Sequence, residues 1–196
     1  MIGQCCAALP GSFTVGTTAT VGGNLCLARP DGPMIALTCA LDGICTIWGP
    51  DGAARPVDAA DFVTGAGRNV LMPGELLRSV RLPAAALAAR TSFRRISLTP
   101  AGPSGALVIG RRSPADGSVV ITLAAATAAP VRLRFTGLPS PDELQAALVG
   151  AGPTYHDDVQ GSAAWREAAG RRLSREVLAE LGGLAEPGTP AGPGAP

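Results

Sequence analysis

The sequence predicts an α+β protein, and three observations carry that prediction. Short runs rich in Val, Ile, Thr and Leu, separated by Gly, Pro and Asp turns, recur through residues 14–135 in the manner of short strands. A complete helix-start signal stands at Ser140-Pro141-Asp142-Glu143, with Ser as cap, Pro at the first helical position and Glu three after the cap. Trp165, Ala169, Leu173, Val177 and Leu181 recur every fourth residue, which places them on one stripe of a long helix.

Taken in order, residues 1–13 are a mildly apolar opening with a Pro10-Gly11 turn and neither period. Residues 14–21 alternate enough for a strand that ends at Gly22-Gly23. Residues 35–41 and 44–48 read as a hairpin closed at Asp42-Gly43, where glycine supplies a positive φ. Pro50-Asp51-Gly52 turns the chain into a short strand over 53–57. A helical turn capped by Asp58 follows over 57–62, then a loop over 65–69. Pro73-Gly74 has the type II turn pattern and feeds an alternating strand over 76–82, its apolar face Leu76, Val80 and Leu82 with Arg78 on the same parity. Glu75 on that turn reads as a solvated charge.

Residues 83–89 form an alanine-rich helical turn and 91–98 a strand carrying Phe93, Arg94 and Arg95. Adjacent strand residues face opposite sides, so one arginine at most serves a buried anion. The Pro/Gly/Ser break at 100–104 marks a boundary. Beyond it, runs over 105–110, 118–126 and 131–135 fit a small three-stranded antiparallel sheet. Two helices follow: one from the Ser140 cap to Val149, and one after Ser162 that keeps Arg171, Arg172 and Arg175 largely off its stripe and stops at Gly182-Gly183. The organisation expected is residues 1–99, residues 100–183 and a tail over 184–196, whose Pro, Gly, Ala and Thr cannot bury enough apolar surface to order.

Composition limits the function. The chain has 196 residues, 46% hydrophobic and 16% charged, a globular balance able to bury a core. Sixteen basic residues against 15 acidic give a net charge of +1, so no field recruits nucleic acid or an anionic membrane. No apolar run approaches the roughly 20 residues that span a bilayer, and no export leader is evident, so the expected address is cytoplasmic. Cys5, Cys6, Cys26, Cys39 and Cys45 lack the C-x-x-C step of metal and iron-sulfur sites and read as buried free thiols.

His156 is the only histidine, which excludes a two-histidine mechanism or a histidine metal cluster within the chain. Asp157 and Asp158 beside it read as caps or ion-pair partners of the following helix, with Arg166 in reach. Ser, Cys and Thr find no adjacent base, so nucleophilic hydrolysis is disfavoured. No catalytic residue and no metal ligand is assigned. The remaining feature is Gly22-Gly23 followed by Asn24, where bare backbone can approach a phosphate or a flavin edge more closely than any residue with a Cβ.

Three stretches occur together in one order: T-V-G-G-N at 20–24, V-L-M-P-G-E-L-L-R-S-V-R-L-P at 70–83, and Y-H-D-D-V-Q-G-S-A-A-W-R at 155–166. In that order and spacing they resemble the FAD-binding medium subunit of the molybdenum hydroxylases, the group that includes xanthine dehydrogenase and aerobic carbon monoxide dehydrogenase. The likeness covers residues 3–181. It implies that 1–99 is the C-terminal portion of a two-domain FAD-binding fold, and that 100–183 is the family's small C-terminal domain. It further implies FAD as cofactor, an oxidoreductase complex, and as partners a large subunit with a molybdenum cofactor and a small iron-sulfur subunit. Thr20, Val21, Gly22, Gly23 and Asn24 match the second flavin loop, Leu71 an apolar position near the ring, and Arg94 or Arg95 a basic position near it. The family's aspartate beyond the proline falls at Pro33 here, with Asp31 the nearest carboxylate. Its first flavin loop, of A-G-G type, is not found before Thr14. The alternative is therefore a truncated, non-catalytic remnant or interaction module that does not bind FAD by itself.

Overall fold

A computed structural model describes residues 1–9, 11, 13–100 and 102–183. Pro10 of the expected opening turn and the expected tail lie outside the described residues.

Where a strand was expected over 14–21, the chain instead makes helices. After α1 (Ile2–Ala7) come α2 (Phe13–Thr18) and α3 (Val21–Leu27), separated by Thr20 in extended conformation. The Thr20 hydroxyl accepts the Gly23 N–H at 3.0 Å, an N-cap that overrides the β-preference of the Thr/Val run. The second correction is α4 (Pro33–Ala40), which replaces the first strand of the expected hairpin. Pro33 stands at the start of the helix, where its missing N–H costs nothing, and all eight residues are buried. A helix buried on every side shows no apolar stripe, so a short apolar run of this kind has no period to betray it.

From residue 44 the expectations are met more closely. Strands β1 (Ile44–Trp48) and β2 (Ala54–Asp58) pair antiparallel, and Asp58 caps the short α5 (Ala59–Phe62) through the Ala60 N–H at 2.9 Å. The loop expected over 65–69 is a small hairpin of β3 (Val63–Gly65) and β4 (Arg68–Asn69). Strand β5 (Leu76–Arg81) adds to the other edge of β1. A register shift sets Thr46 opposite Ser79 and Ile47 opposite Leu77, so Arg78 is extra. That bulge changes the expected face: Leu77 and Val80 pack inward, Leu76 is exposed, and Arg78 lies over the Trp48 ring at 4.9 Å. Nor is Glu75 a solvated charge. It takes two hydrogen bonds from Arg55, at 2.8 and 2.7 Å, and one from the Met72 N–H at 2.8 Å.

After α6 (Ala84–Leu87), strands β6 (Arg90–Ile96), β7 (Ala106–Arg112), β8 (Val119–Ala124) and β9 (Val131–Phe135) form one antiparallel meander. The three expected strands are present, and β6, on the other side of the expected boundary, extends the sheet to four. Helices α7 (Pro141–Gly150), with its full capping box, and α8 (Ala163–Gly183) follow.

Alternation along β7 shows how the layers stack. Leu107 and Ile109 join the core that holds α4, Cys39 and Phe62, whereas Ala106 and Val108 join the core of α7 and α8. The sheet is thus covered by α4 on one face and α8 on the other. On the α4 side an ionic clasp closes the junction. Arg132 grips Asp58 with two hydrogen bonds, at 2.8 and 2.6 Å, and Arg111 and Arg134 both reach Asp42 in the α4–β1 turn. Burial works to raise the Asp58 pKa, yet the Arg132 and Ala60 hydrogen bonds hold it below the usual carboxylate range.

Candidate functional site

A cleft of about 520 Å³ opens beside the start of α3, within the range of cavities that hold small ligands. Thr20, Gly23, Asn24 and Asp31 line it, joined by Arg29 and by apolar side chains including Val15 and Leu27. Substituting Gly23 would put a Cβ 3.0 Å from the Thr20 hydroxyl, tighter than ordinary contact, with the remainder of the side chain against the cleft.

The five residues of the expected loop therefore divide. Thr20, Gly23 and Asn24 face the cleft. Val21 and Gly22 line a second, apolar cavity of about 260 Å³ formed with Leu37, Leu77 and Val80, and a Cβ at Gly22 would sit 4.0 Å from Leu77. Asn24 has a further duty: its Oδ1 accepts the Met34 N–H at 3.1 Å, tying α3 to the first turn of α4. The same oxygen lies 2.7 Å from where a Gly32 Cβ would stand, so Gly32 is required for that tie.

Asp31 is held by Arg29 through bonds of 3.0 and 3.3 Å, and that partnership raises the Arg29 pKa, chiefly through the side-chain hydrogen bond. Leu71 is half-buried against the first core and does not line the cleft. Its N–H donates to Asn69 Oδ1 at 2.9 Å, while the Asn69 amide donates to the Cys26 carbonyl at 2.8 Å, linking this turn to α3. Neither Arg94 nor Arg95 lines the cleft either. Arg94 pairs with Glu180 at 2.7 Å on α8, and Arg95 donates to the Gly102 carbonyl at 2.6 Å. Two strand faces separate the arginines, as the alternation requires.

Sequence reasoning missed Asn69, Arg29 and Ser104. Asn69 and Arg29 carried faint signals, an amide beside an apolar turn and a cation two residues from a carboxylate. Ser104 carried none. The reading of the 156–166 segment fares better: Asp158 bonds Arg166 at 2.5 Å and Asp157 accepts the Ala163 N–H at 3.3 Å at the start of α8. Arg166 is 2% exposed and also donates to the carbonyls of Gly161, Gly105 and Ala125. The cysteines are free thiols, with Cys5, Cys39 and Cys45 buried, Cys26 intermediate and Cys6 exposed. Burial pushes the Cys39 thiol up to about 12 and the Cys45 thiol to about 11, which leaves both inert near neutral pH. Among the described residues no helix is long and apolar enough to cross a membrane.

The cleft thus lies at the start of α3, with Gly23 and Gly32 in its wall. Comparison with known proteins supplies the class. Residues 8–85 match the family described as FAD binding domain in molybdopterin dehydrogenase. The carbon monoxide dehydrogenase medium chain of Afipia carboxidovorans is 41% identical over 64 residues, covering 33% of this chain and 22% of that protein. Reconstituted CO dehydrogenase from Oligotropha carboxidovorans superposes with a TM-score of 0.76 at 25% identity, over 90% of this chain and 65% of that chain. Quinoline 2-oxidoreductase from Pseudomonas putida 86 shares the fold with a TM-score of 0.73 at 20% identity, over 91% and 65%. Through residues 8–85 the chain is similar to the FAD-binding domain family of the molybdopterin dehydrogenases, whose cofactor is FAD, and it spans less than two thirds of the length of each of these relatives.

The residues present fit such a cofactor. The cleft combines short side chains at Gly23 and Thr20 with an apolar wall, and among the described residues no bulky group fills it.

Proposed function

We propose that the chain is the FAD-holding, electron-transfer component of a molybdenum-containing oxidoreductase complex, with a molybdenum-cofactor subunit and an iron-sulfur subunit as partners. The observation that carries this reading is the cleft against Thr20 and Gly23, inside the segment that matches the FAD-binding family. FAD, when bound, supplies the relay from iron-sulfur clusters to an acceptor. This chain's share is to hold and orient it. Thr20 fixes the start of α3 so that Gly23 faces the cleft, Asn24 ties that helix to α4, and Asp31 with Arg29 closes the rim. Val21 and Gly22 set the back of the loop against β5, and Leu71 supports it through Asn69.

The dianionic pyrophosphate requires backbone donors that these residues supply only in part, because the Gly23 N–H is already taken by Thr20. A further segment, from the same polypeptide or another, completes that grip. Equilibrium dialysis of FAD against the protein tests the assignment. Retention of flavin by the wild type, weakened in a Gly23→Ala variant whose far-ultraviolet circular dichroism is unchanged, is the expected result. Absence of any retained flavin, alone or with the complementary subunits, overturns it.

A further inference from the structure

A third cavity, of about 220 Å³, adjoins the cleft and shares Arg29 and Asp31 with it. Its far wall comes from the other half of the molecule: Ser104, His156, Asp158, Gln160 and Arg166. Ser104 is 1% exposed, and its hydroxyl has no hydrogen-bond partner. A buried hydroxyl left unpaired costs about 1–3 kcal/mol, so a group that enters here and bonds it recovers that cost.

The charges in this cavity cancel. Arg29 pairs with Asp31, and Arg166 with Asp158, which also lies 3.2 Å from His156 Nε2. Four of the five Arg166 N–H donors are already engaged by Gly161, Gly105, Ala125 and Asp158. No cation is left over for a phosphate. What the lining offers is a hydroxyl, an amide and an imidazole, the complement of a neutral group that both donates and accepts.

On the reading that the larger cleft takes FAD, we infer that this cavity receives the polar pyrimidine edge of the flavin ring, with Ser104 and Gln160 as the groups that bond it. That edge is neutral and carries two carbonyls and an N–H. The apolar cleft beside Val15 and Leu27 suits the hydrocarbon end of the same ring. The ring then spans the junction between the α3 loop and the 156–166 segment. Ser104 and Gln160 thereby read the flavin, while Arg94 and Arg95 serve α8 and the Gly102 loop.

Lumiflavin, which has the ring but no phosphate, separates this inference from the assignment of FAD to the cleft. Ser104→Ala and Gln160→Ala should each weaken lumiflavin binding about tenfold, read by quenching of its fluorescence, and leave ADP binding unchanged. As the only histidine, His156 gives a single ring resonance, which should move on adding lumiflavin and stay still on adding ADP. Wild-type affinity in both variants together with an unmoved His156 signal overturns the inference, the cavity then holding only water. If the wild type binds neither lumiflavin nor FAD, the flavin assignment falls and this inference with it.

Discussion

The two faces of the four-stranded sheet are covered by helices of opposite character. On one face α8 buries a single stripe of Ala169, Leu173, Val177 and Leu181 and keeps Arg172, Arg175 and Glu176 in water. On the other, α4 is buried on every side, enclosed between the sheet and the helices and strands of residues 1–82. The α8 side presents a charged helix face to water, with Leu138, Val149 and Val159 exposed on α7 and the loops that flank it. The α4 side buries its central helix and leaves Leu27 exposed in the wall of the cleft, with Met72 and Leu76 exposed elsewhere on its surface. The contrast teaches how each side is closed: α8 needs water on one face, whereas α4 needs residues 1–82 wrapped around it, and the cleft lies in that wrapping.

The sharpest way to break this contrast is at Arg166, on which the α8 unit is hung. Arg166→Met leaves three carbonyls and Asp158 without their buried partner, and the expected loss is about 3–5 kcal/mol in chemical denaturation. A loss below about 1 kcal/mol would show the unit to be held by its apolar stripe alone. Next, Ile35→Ala in the enclosed helix should cost about 2–5 kcal/mol, because nothing around a fully wrapped helix can move in to fill the space. Ser140→Ala removes one half of the α7 capping box and should cost about 1 kcal/mol, with the cleft unaffected.

The smallest effect is acid sensitivity on the cleft side. The Arg55 side-chain bond, then the Met72 N–H, holds the Glu75 carboxyl down to about 2. Its folded pKa lies below its ordinary value of 4.5, so its contribution is complete above that pH and fades as pH falls toward 2. Wild type and Glu75→Gln should therefore differ in unfolding midpoint at neutral pH and converge between those two values. A difference that does not change with pH would contradict the role given to this pair.

Legibility in the sequence follows the same division. Helix α8, the Ser140 cap and the three strands of the meander were all readable, since each has one wet face or one local signal. Helix α4 was not, because eight buried residues carry no period, and its one clue was Gly32-Pro33 at the start. Helices α2 and α3 were masked by Thr and Val, whose β-preference yields to the Thr20 cap. Of the candidate site, Thr20, Gly23, Asn24 and Asp31 line the cleft as a local motif allows. The misplacements are long-range. Arg94 and Arg95 are claimed by α8 and by the Gly102 loop, and Ser104 comes to the cleft's neighbour only through the fold.

The most direct measurement is a titration of labelled protein with FAD, followed by the backbone amide signals in both halves. The account predicts displacement of the Gly23 and Asn24 amides and of those from 29 to 32, with the amides of β9 and α7 unmoved. Displacement confined to β9 and α7, or none in either half at saturating FAD, would contradict it.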